Sequence, residues 1–397
     1  MGGDRCDVAV VGGGPAGSSA ARQAAALGCR VVLFEKAAMP RPKLCGGAVS
    51  EQALRSLGFA LPERLVDAAC FGTRVHYGSD SMLGRSDERV AVLVRREHFD
   101  HFLVEKAQEA GARVRVGEVT AITRVGDEMV LQTRDDQTTC AVVIIAEGTA
   151  GRLAKDVRRP DRNDESGVCL ECRVPSAQLP QFADLKDVID VYLGVARGGY
   201  GWVFPHGDFY SVGIGGLRSD LPAPRRVFET FCRDLQIDVD RTEVHGHLIP
   251  CGGVRRNLVS DGVILAGDAA GFVDAFLGEG ITYAIRSGRI SGEVAARAVQ
   301  AKDAGPATLT TYGQTCEMAF GRNLRYALRL ARLARRYPSM FMRLLATERT
   351  VLDRYLGVAR GDRSYGDFVW WLGLRAPALW LRGLSNGRRA PPHIAGR

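Results

Sequence analysis

The sequence lacks the features of a secreted, disulfide-stapled or membrane-spanning protein. No hydrophobic secretory segment precedes Asp4, and the ten cysteines are scattered along the chain. The most apolar stretch of the C-terminal region, "FVWWLGLRAPALWL", is interrupted by Arg375 and Pro377 and falls short of the ~20 apolar residues that cross a bilayer. We therefore expect a reducing, cytoplasmic setting.

A recognisable metal-ligand pattern is also missing. Cys169 and Cys172 have CxxC spacing, but no second pair lies at zinc-ribbon distance. Their context, "VCLECRV", is typical of a strand, on which side chains three residues apart point to opposite faces. The sequence therefore predicts no metal site.

Basic charge is abundant but unevenly distributed. The 397 residues carry a net charge of +8, whereas residues 322–397 hold 16 arginines, no lysine and four acids, a net charge of +12. Such a segment favours an anionic partner: nucleic acid, a phospholipid surface or a diphosphate substrate. Because no nucleic-acid recognition motif accompanies the charge, we expect no nucleic-acid partner.

Part of this charge forms a stripe on a predicted helix. In "RNLRYALRLARLARR" the arginines at 322, 325, 329, 332 and 336 step by three and four residues. Like charges at this spacing repel each other, and an anionic membrane surface would relieve that repulsion. Peripheral association with the inner face of a membrane, with Trp370, Trp371 and Trp380 at the interface, is one hypothesis. A solvated arginine face with tryptophans in the core is the other.

The N-terminal stretch carries a dinucleotide-binding fingerprint. An apolar strand over Val8–Val11 runs into a glycine turn and an Ala-rich helix, and a second strand ends at Glu35. Gly12 allows the tight turn, Gly14 lets the backbone approach a pyrophosphate, and Gly17 permits close helix packing. Glu35 can accept hydrogen bonds from ribose hydroxyls.

A second glycine-rich stretch selects FAD over NAD. In "GVILAGDAAGFVDAFLGEGITYAIRSG" a strand ends at Gly267 and Asp268, and a loop leads to a helix that begins near Gly280. This stretch resembles the second FAD signature of flavoproteins of the glutathione-reductase and hydroxybenzoate-hydroxylase type. The resemblance implies FAD contacts at Asp268, Gly280 and Ile281. The motif "RREHFDHFL" fits the same superfamily, with Arg96 near the cofactor phosphates.

An aromatic strand, "GGYGWVFP", occupies the middle of the chain. Side chains alternate between the faces of a strand, so Tyr200, Trp202 and Phe204 share one face, while Gly199 and Gly201 leave the other almost bare. Ordinary core packing against a helix is one interpretation, and the wall of a pocket is the other. The nearby flavin motifs favour the pocket.

Two stretches, "RPKLCGGAVS" and "YGWVFP", narrow the resemblance to one family. With the flavin motifs they resemble the geranylgeranyl reductase family, whose members use reduced FAD to saturate carbon–carbon double bonds in polyprenyl chains. The likeness covers roughly residues 5–300. Two positions depart from the family pattern, since Arg197 stands where a proline is frequent and Glu147 where an aspartate is usual.

The resemblance implies a set of site residues. The implied cofactor contacts are Gly12, Gly14, Ala16, Gly17, Glu35, Lys36, Cys45, Gly46, Ala48, Arg96, Val119, Asp268, Gly280 and Ile281. The implied substrate contacts are Tyr200, Trp202, Phe204 and Pro205, and the implied catalytic residues are Cys45, Tyr200 and Trp202.

The chemistry of alkene reduction explains why such residues would be needed. An isolated trisubstituted alkene is not polarised, so a proton must reach one carbon as hydride reaches the other. Cationic character then develops on the tertiary carbon. Aromatic rings stabilise a desolvated cation by about 2 kcal/mol and exclude water. Cys45 is a candidate proton donor; shaping the pocket, or no role in catalysis, are the alternatives.

The partners follow from the same motifs. No second GxGxxG with flanking strand and helix is found, so the flavin needs an external electron donor, either NAD(P)H or a ferredoxin-like protein. We expect a hydrophobic prenyl substrate carried by a diphosphate, a lipid or a quinone.

The sequence predicts an α/β fold in three parts. Residues 1–155 and 250–300 would form a Rossmann-type FAD-binding domain, residues 156–249 a β-sheet substrate-binding domain, and residues 301–397 a basic helical region. A flavin-dependent monooxygenase or halogenase acting on an aromatic substrate is an alternative, although halogenases carry WxWxIP where this strand has "YGWVFP". A non-catalytic flavin-bearing lipid-binding protein is a further alternative.

Overall fold

The strands and helices belong to residues 4–252 and 256–385, which the computed structural model describes apart from the side chains of residues 240 and 376–385. The strands, in chain order, are β1 Asp4–Arg5, β2 Val8–Val11, β3 Val31–Glu35, β4 Ala48–Ser50, β5 Ala68–Cys70, β6 Gly72–Tyr77, β7 Asp80–Arg85, β8 Ala91–Leu93, β9 Arg113–Val116, β10 Ala121–Val125, β11 Glu128–Gln132, β12 Gln137–Cys140, β13 Val142–Ile145, β14 Ser166–Pro175, β15 Val188–Leu193, β16 Gly199–Pro205, β17 Phe209–Leu217, β18 His245–Pro250, β19 Val259–Ser260 and β20 Val263–Leu265. The α-helices are α1 Pro15–Ala26, α2 Glu51–Leu57, α3 Arg96–Glu109, α4 Pro224–Asp234, α5 Ile281–Ala301, α6 Pro306–Cys316, α7 Arg322–Arg336, α8 Pro338–Thr347, α9 Arg349–Arg360 and α10 Tyr365–Ser385.

A six-stranded sheet contains the N-terminal strands. Its order is β19-β20-β13-β2-β3-β9, and every neighbouring pair is parallel except β19 with β20. The inner strands are short apolar runs, such as "VAVV" in β2 and "VVII" in β13, and are fully buried. Parallel strands with both faces covered show this pattern. The predicted α/β fold with a Rossmann-type unit is confirmed.

Helices α1 and α5 cross at small residues. A Cβ on Gly288 would lie 2.2 Å from the carbonyl oxygen of Ala16, and one on Gly292 would lie 2.4 Å from that of Ala20. Larger side chains at either glycine would force the helices apart. Because α1 begins directly after the glycine turn, this contact also fixes the turn against α5.

A seven-stranded sheet forms the second large layer. Its order is β18-β14-β17-β16-β15-β6-β7, antiparallel except where β15 pairs in parallel with β6. Strands β6 and β7 come from the range 1–155, so this sheet is larger than residues 156–249 alone. The pairing of β6 with β15 through six residues recruits the earlier hairpin. Two smaller sheets have the orders β1-β12-β11-β10 and β4-β8-β5.

Helix α4 covers the glycine face of β16. A Cβ on Gly201 would lie 2.8 Å from the Phe231 ring of α4, and Phe228 and Phe231 are both buried. Aromatic side chains of α4 therefore pack on the glycine face of β16. They can come this close because Gly201 has no Cβ atom.

The C-terminal region is helical and packs on the edge of the seven-stranded sheet. Leu330 of α7, Phe341 of α8 and Leu352 of α9 share a buried cluster with Val75 and Tyr77 of β6. Helix α10 continues through the positions of Arg375 and Pro377, while the Trp380 side chain and residues beyond 385 lie outside the described part. No helix among the described residues is both long and apolar enough to cross a membrane.

Candidate active site

One cavity of about 1320 Å³ runs between the two large sheets and the C-terminal helices. The glycine turn after β2 and the end of β3 line one region, and apolar side chains such as Val75, Leu193, Phe276, Phe341 and Tyr355 line another. Pockets for a single drug-sized ligand measure about 300–1,000 Å³. This cavity therefore has room for more than one ligand.

The glycine turn is shaped by close backbone contacts. Gly12 has φ +105°, and a Cβ there would lie 2.4 Å from the carbonyl oxygen of Ala146. A Cβ on Gly17 would lie 1.8 Å from the carbonyl oxygen of Gly12, whereas one on Gly14 would meet nothing nearer than Arg41 at 3.9 Å. Gly12 and Gly17 thus serve packing, and Gly14 opens the backbone to the cavity, as a pyrophosphate at this helix N-terminus would require.

Glu35 is held in a buried chain of alternating charges. Its carboxylate accepts a hydrogen bond from the Gly13 N–H at 2.8 Å and lies 3.0 Å from Nε of Arg41. Arg41 also approaches Asp100 at 3.4 Å, and Arg96 binds Asp100 at 2.8 Å. Each buried charge thus has an opposite neighbour, and the network adds no net charge to the cavity wall.

Asp268, directly after β20, faces the cavity. Among the described residues its carboxylate receives one hydrogen bond, from the Thr149 hydroxyl at 3.3 Å. Burial raises the pKa of Asp268, and the nearby Lys43 and Arg96 partly offset this. A Cβ on Gly280 would lie 3.1 Å from Oδ1 of Asp268, so the glycine lets the start of α5 approach the carboxylate. The remaining acceptor positions can bind ligand hydroxyls.

The aromatic residues of β16 line the cavity. Tyr200 and Trp202 stand opposite Gly215 and Gly213 of β17, and a Cβ on Gly213 would lie 2.2 Å from the Trp202 ring. The indole thus lies over a neighbour without a side chain. The Tyr200 hydroxyl donates to the carbonyl of Leu277, which fixes the ring.

The Cys-Gly-Gly loop closes against this aromatic wall. A Cβ on Gly46 would lie 2.9 Å from the Phe204 ring and 3.2 Å from Nε1 of Trp202. Gly47 has φ +78°, in the left-handed region that favours glycine. The loop presents the free thiol of Cys45 to the cavity, beside the buried guanidinium of Arg96.

A hydrogen-bonded chain supports Trp202 from the neighbouring strands, on the same face of the sheet. Its Nε1–H donates to Oγ of Ser211 at 3.0 Å, and the Ser211 hydroxyl donates to Oε1 of Glu171 at 3.0 Å. Burial raises the pKa of Glu171 to about 7, against the opposing effect of the Ser211 hydrogen bond. The chain holds the indole plane in one orientation.

A half-buried Lys–His pair also borders the cavity. Nζ of Lys43 lies 3.0 Å from Nε2 of His247. Burial, with Lys43 and Arg96, lowers the pKa of His247 to about 4, and burial and Arg96 lower the pKa of Lys43. The imidazole is therefore neutral at pH 7, and its Nε2 accepts a hydrogen bond from the lysine.

The structure brings nearly all of the implied site residues to one cavity. Those that line it are Gly12, Gly14, Ala16, Glu35, Lys36, Cys45, Gly46, Ala48, Arg96, Val119, Tyr200, Trp202, Phe204, Asp268, Gly280 and Ile281. Gly17 and Pro205 do not line it: Gly17 packs on the glycine turn, and Pro205 ends β16 in a buried position. Their roles as ligand contacts stay predictions.

Several residues of the cavity were not predicted from the sequence. Lys43 lies inside the "RPKLCGG" motif, which predicts no function for it, and Glu171 and His247 come from strands without a recognisable motif. One signal was present for Gly213 and Gly215 of β17: alternate glycines, as in "SVGIGGL", indicate a strand face that accommodates large neighbours.

These features fit FAD. The open backbone at Gly14, the buried acceptor Glu35 and the cavity-facing Asp268 match the three needs of the cofactor: phosphate, ribose and ribityl chain. The buried carboxylate of Asp268 can accept further hydrogen bonds from hydroxyl groups. A polyhydroxylated chain such as the ribityl chain needs such an acceptor.

Comparison with known proteins agrees with this fit. The family model described as "FAD binding domain" matches residues 5–326. A protein of Methanopyrus kandleri named digeranylgeranylglycerophospholipid reductase 1 is 30% identical over 392 residues, which cover 92% of this chain and 99% of the relative. The chain belongs to the geranylgeranyl reductase family of FAD-dependent oxidoreductases. The resemblance inferred from the sequence is confirmed, and its cofactor is FAD.

Solved structures share the fold of this reductase. A geranylgeranyl bacteriochlorophyll reductase-like protein of Thermoplasma acidophilum superposes with a TM-score of 0.77 at 22% identity, covering 97% of this chain and 100% of that one. The flavin-dependent brominase Bmp2 superposes with a TM-score of 0.71 at 20% identity, covering 94% and 100%. At these identities the likeness concerns the fold alone.

The buried Glu171 predicts a specific pH dependence of stability. Because its folded pKa is raised from the ordinary 4.5 to about 7, the native protein retains a proton that the unfolded chain releases, so this residue lowers stability as pH rises through that interval. We expect Glu171→Gln to remove this loss, which amounts to about 3 kcal/mol at most above pH 7.

Urea unfolding at pH 5 and pH 8 measures the effect. Glu293→Gln, which removes a partly exposed carboxylate on α5, is the matched control and should keep the wild-type pH dependence. An identical pH dependence in wild type and Glu171→Gln would contradict the assignment.

Proposed function

We propose that this protein saturates carbon–carbon double bonds of a geranylgeranyl-type chain, carried by a phospholipid or a diphosphate. The main support for this proposal is the apolar region of the cavity beyond β16, which suits a hydrocarbon chain. Strands β6 and β15 line one side of it, and side chains such as Phe341, Met342 and Leu345 of α8 and Tyr355 and Leu356 of α9 line the other. Each buried methylene of a chain contributes about 0.8 kcal/mol, so a long polyprenyl chain binds such a region strongly.

The aromatic wall lies where the two regions of the cavity meet. Gly46 on the cofactor side touches Phe204 and Trp202, and Tyr200 on the same wall bonds Leu277 next to the apolar region. Reduced FAD supplies the hydride when bound. Tyr200 and Trp202 would face the alkene, stabilise cationic character on its tertiary carbon and exclude water.

Cys45 is the proposed proton donor. Its thiol lines the cavity on the loop that touches the aromatic wall, and one proton together with one hydride completes the saturation of one double bond. Tyr200 is the less suitable donor, because its hydroxyl proton is committed to the Leu277 carbonyl and burial raises its pKa further.

The electrons would come from a mobile donor. In the described part of the chain, the six-stranded sheet is the one whose neighbouring strands are mostly parallel, and the other sheets are antiparallel or contain a single parallel pair. A second dinucleotide-binding unit would need a parallel sheet of its own. We infer that NAD(P)H or a ferredoxin-like protein reduces the flavin and then leaves.

Halogenation or oxygenation of an aromatic substrate is the second candidate, favoured by the shared fold of the brominase. The two reactions differ in their use of oxygen. A halogenase or monooxygenase consumes oxygen with its substrate, whereas an alkene reductase transfers the same electrons to carbon.

Anaerobic turnover tests the proposed reaction. When dithionite-reduced protein is mixed with a geranylgeranyl glycerophospholipid or geranylgeranyl diphosphate, we expect flavin reoxidation, followed by absorbance, and a product heavier by two hydrogens per reduced bond, measured by mass spectrometry. Phenolic substrates should leave the flavin reduced. Reoxidation that required oxygen and added oxygen or halogen would establish the second candidate, and lipid binding without any reoxidation would indicate a carrier.

Replacing Cys45 tests the proton donor. We expect Cys45→Ala to lower kcat by about 10²–10⁴-fold, the range for general acid catalysis, while FAD affinity and substrate KM change little. Cys45→Ser should retain more activity, because it keeps a proton at nearly the same position. A kcat within twofold of wild type for Cys45→Ala would exclude the role.

We further propose that helices α7 and α10 rest on an anionic membrane. Large apolar side chains are exposed there, including Leu333, Tyr337 and Trp370, next to the exposed arginines 322, 329 and 336. Such a mixture favours the interface of an anionic bilayer. A solvated face remains the alternative outcome.

Vesicle sedimentation distinguishes these outcomes. Wild type should bind anionic vesicles and release them in moderate salt, because exposed charges are screened over about 8 Å at physiological ionic strength. Replacing arginines 322, 329 and 336 by glutamate should abolish binding, whereas replacing the exposed arginines 226, 233 and 241 should not. Equal sedimentation of wild type and both variants would contradict the membrane proposal.

A further inference from the structure

Three arginines border the opening of the cavity. Arg197 lies in the loop before β16, and Arg332 and Arg335 lie one turn apart on α7. All three are exposed to solvent while lining the cavity. Leu328 and Ala331, neighbours of Arg332 on the same helix, also line the cavity, so the charged rim continues directly into an apolar surface.

One carboxylate connects the loop to the helix. Asp220 Oδ2 lies 2.6 Å from Nε of Arg335, and its Oδ1 accepts a hydrogen bond from Nη2 at 2.8 Å. A Cβ on Gly198 would lie 2.9 Å from the same Oδ2, so the carboxylate sits against the loop that carries Arg197. Asp220 therefore holds the two elements together and neutralises one of the three arginines.

The other two arginines differ from Arg335. With the side chains that the structure describes, Arg197 and Arg332 make no hydrogen bond or ion pair, whereas Arg162, also at the cavity wall, pairs with Asp164 at 3.0 Å. With Asp220 counted, the rim of Arg197, Arg332 and Arg335 carries a net charge of +2. An anionic group of about two charges would balance it.

We propose that Arg197 and Arg332 bind the phosphate of the substrate, while its prenyl chain extends into the cavity. Guanidinium groups bind phosphate oxygens through two parallel hydrogen bonds, and the phosphate groups of a prenyl diphosphate and of a glycerophospholipid are both anionic at pH 7. An anionic end at the rim and an apolar body inside match one amphipathic ligand. This inference rests on the proposed function, and it assigns a role to Arg197, the residue that departs from the family pattern.

Two sources share this chemistry: a prenyl diphosphate and a geranylgeranyl glycerophospholipid. Both place a phosphate at the polar end of the chain, and geranylgeraniol offers the same chain with a neutral hydroxyl. The three ligands therefore separate recognition of the phosphate from burial of the chain.

Equilibrium binding to the FAD-loaded protein tests the inference independently of turnover. Titration of each ligand in neutral detergent, followed by tryptophan fluorescence, gives its Kd. For the double variant Arg197→Ala/Arg332→Ala we expect about a ten- to hundredfold weaker binding of at least one phosphate ligand and less than a twofold change for geranylgeraniol. The double lysine variant should recover part of the affinity, since it keeps the charge but not the bidentate geometry.

The matched control is Arg226→Ala/Arg233→Ala, which removes two exposed arginines of α4 that do not line the cavity. It should bind all three ligands as wild type does. If the arginine pair affects the Kd of only the diphosphate, or of only the phospholipid, the phosphate site is supported and the affected ligand is the one that the site recognises.

Two results would overturn the inference. One is unchanged affinity for both phosphate ligands in the Arg197/Arg332 variant, and the other is an equal loss for geranylgeraniol. If arginine-dependent binding were found but reduced protein saturated none of the ligands, the phosphate site would stand and the proposed reductase function would fail.

Discussion

The structure depends on the close approach of the Cys-Gly-Gly loop to the aromatic strand. Because Gly46 has no Cβ, its backbone lies against the rings of Phe204 and Trp202, and any side chain there would force the two surfaces apart. His206 secures the contact: its Nε2–H donates to the Gly46 carbonyl at 3.1 Å, and Nδ1 lies 2.8 Å from Asp67. This contact brings the loop that follows β3 of the six-stranded sheet against β16 of the seven-stranded sheet, and both lie in the wall of the same cavity.

The charge of the cavity wall differs between the glycine turn and the solvent-facing rim. Near the glycine turn, Glu35, Arg41, Asp100 and Arg96 alternate in sign, so burial leaves no uncompensated charge. Beyond Trp202 the wall is mostly apolar among the described residues, and Arg197 and Arg332 add positive charge at the solvent-facing rim. Two ligands placed side by side match this order. FAD lies near the glycine turn, and an apolar chain lies beyond Trp202 with its anionic head at the rim.

The sequence predicted the parts of the site whose chemistry is local. The glycine turn, Asp268 and the aromatic face of β16 each follow from a short motif with its own backbone or side-chain requirement, and all line the cavity.

The features that could not be predicted depend on segments that are distant in the sequence. The pairing of β6 with β15 enlarged the second sheet, the Phe231 ring filled the glycine face of β16, and Glu171 came to support Trp202 through Ser211. None of these contacts leaves a periodic signal, because their partners are separated by 30 to more than 100 residues along the chain. The arginine stripe was visible in the sequence, but only the packing of α7 separates Arg332 at the cavity rim from the arginines that face away.

In the proposed arrangement, one cavity holds the flavin and the prenyl chain on either side of the aromatic wall. A crystal structure of the FAD-loaded protein with geranylgeranyl diphosphate would show this arrangement. We expect density for the chain between β15 and helices α8 and α9, with one double bond against Trp202. Density for the chain on the outer surface, or a flavin separated from Trp202 by the protein backbone, would contradict it.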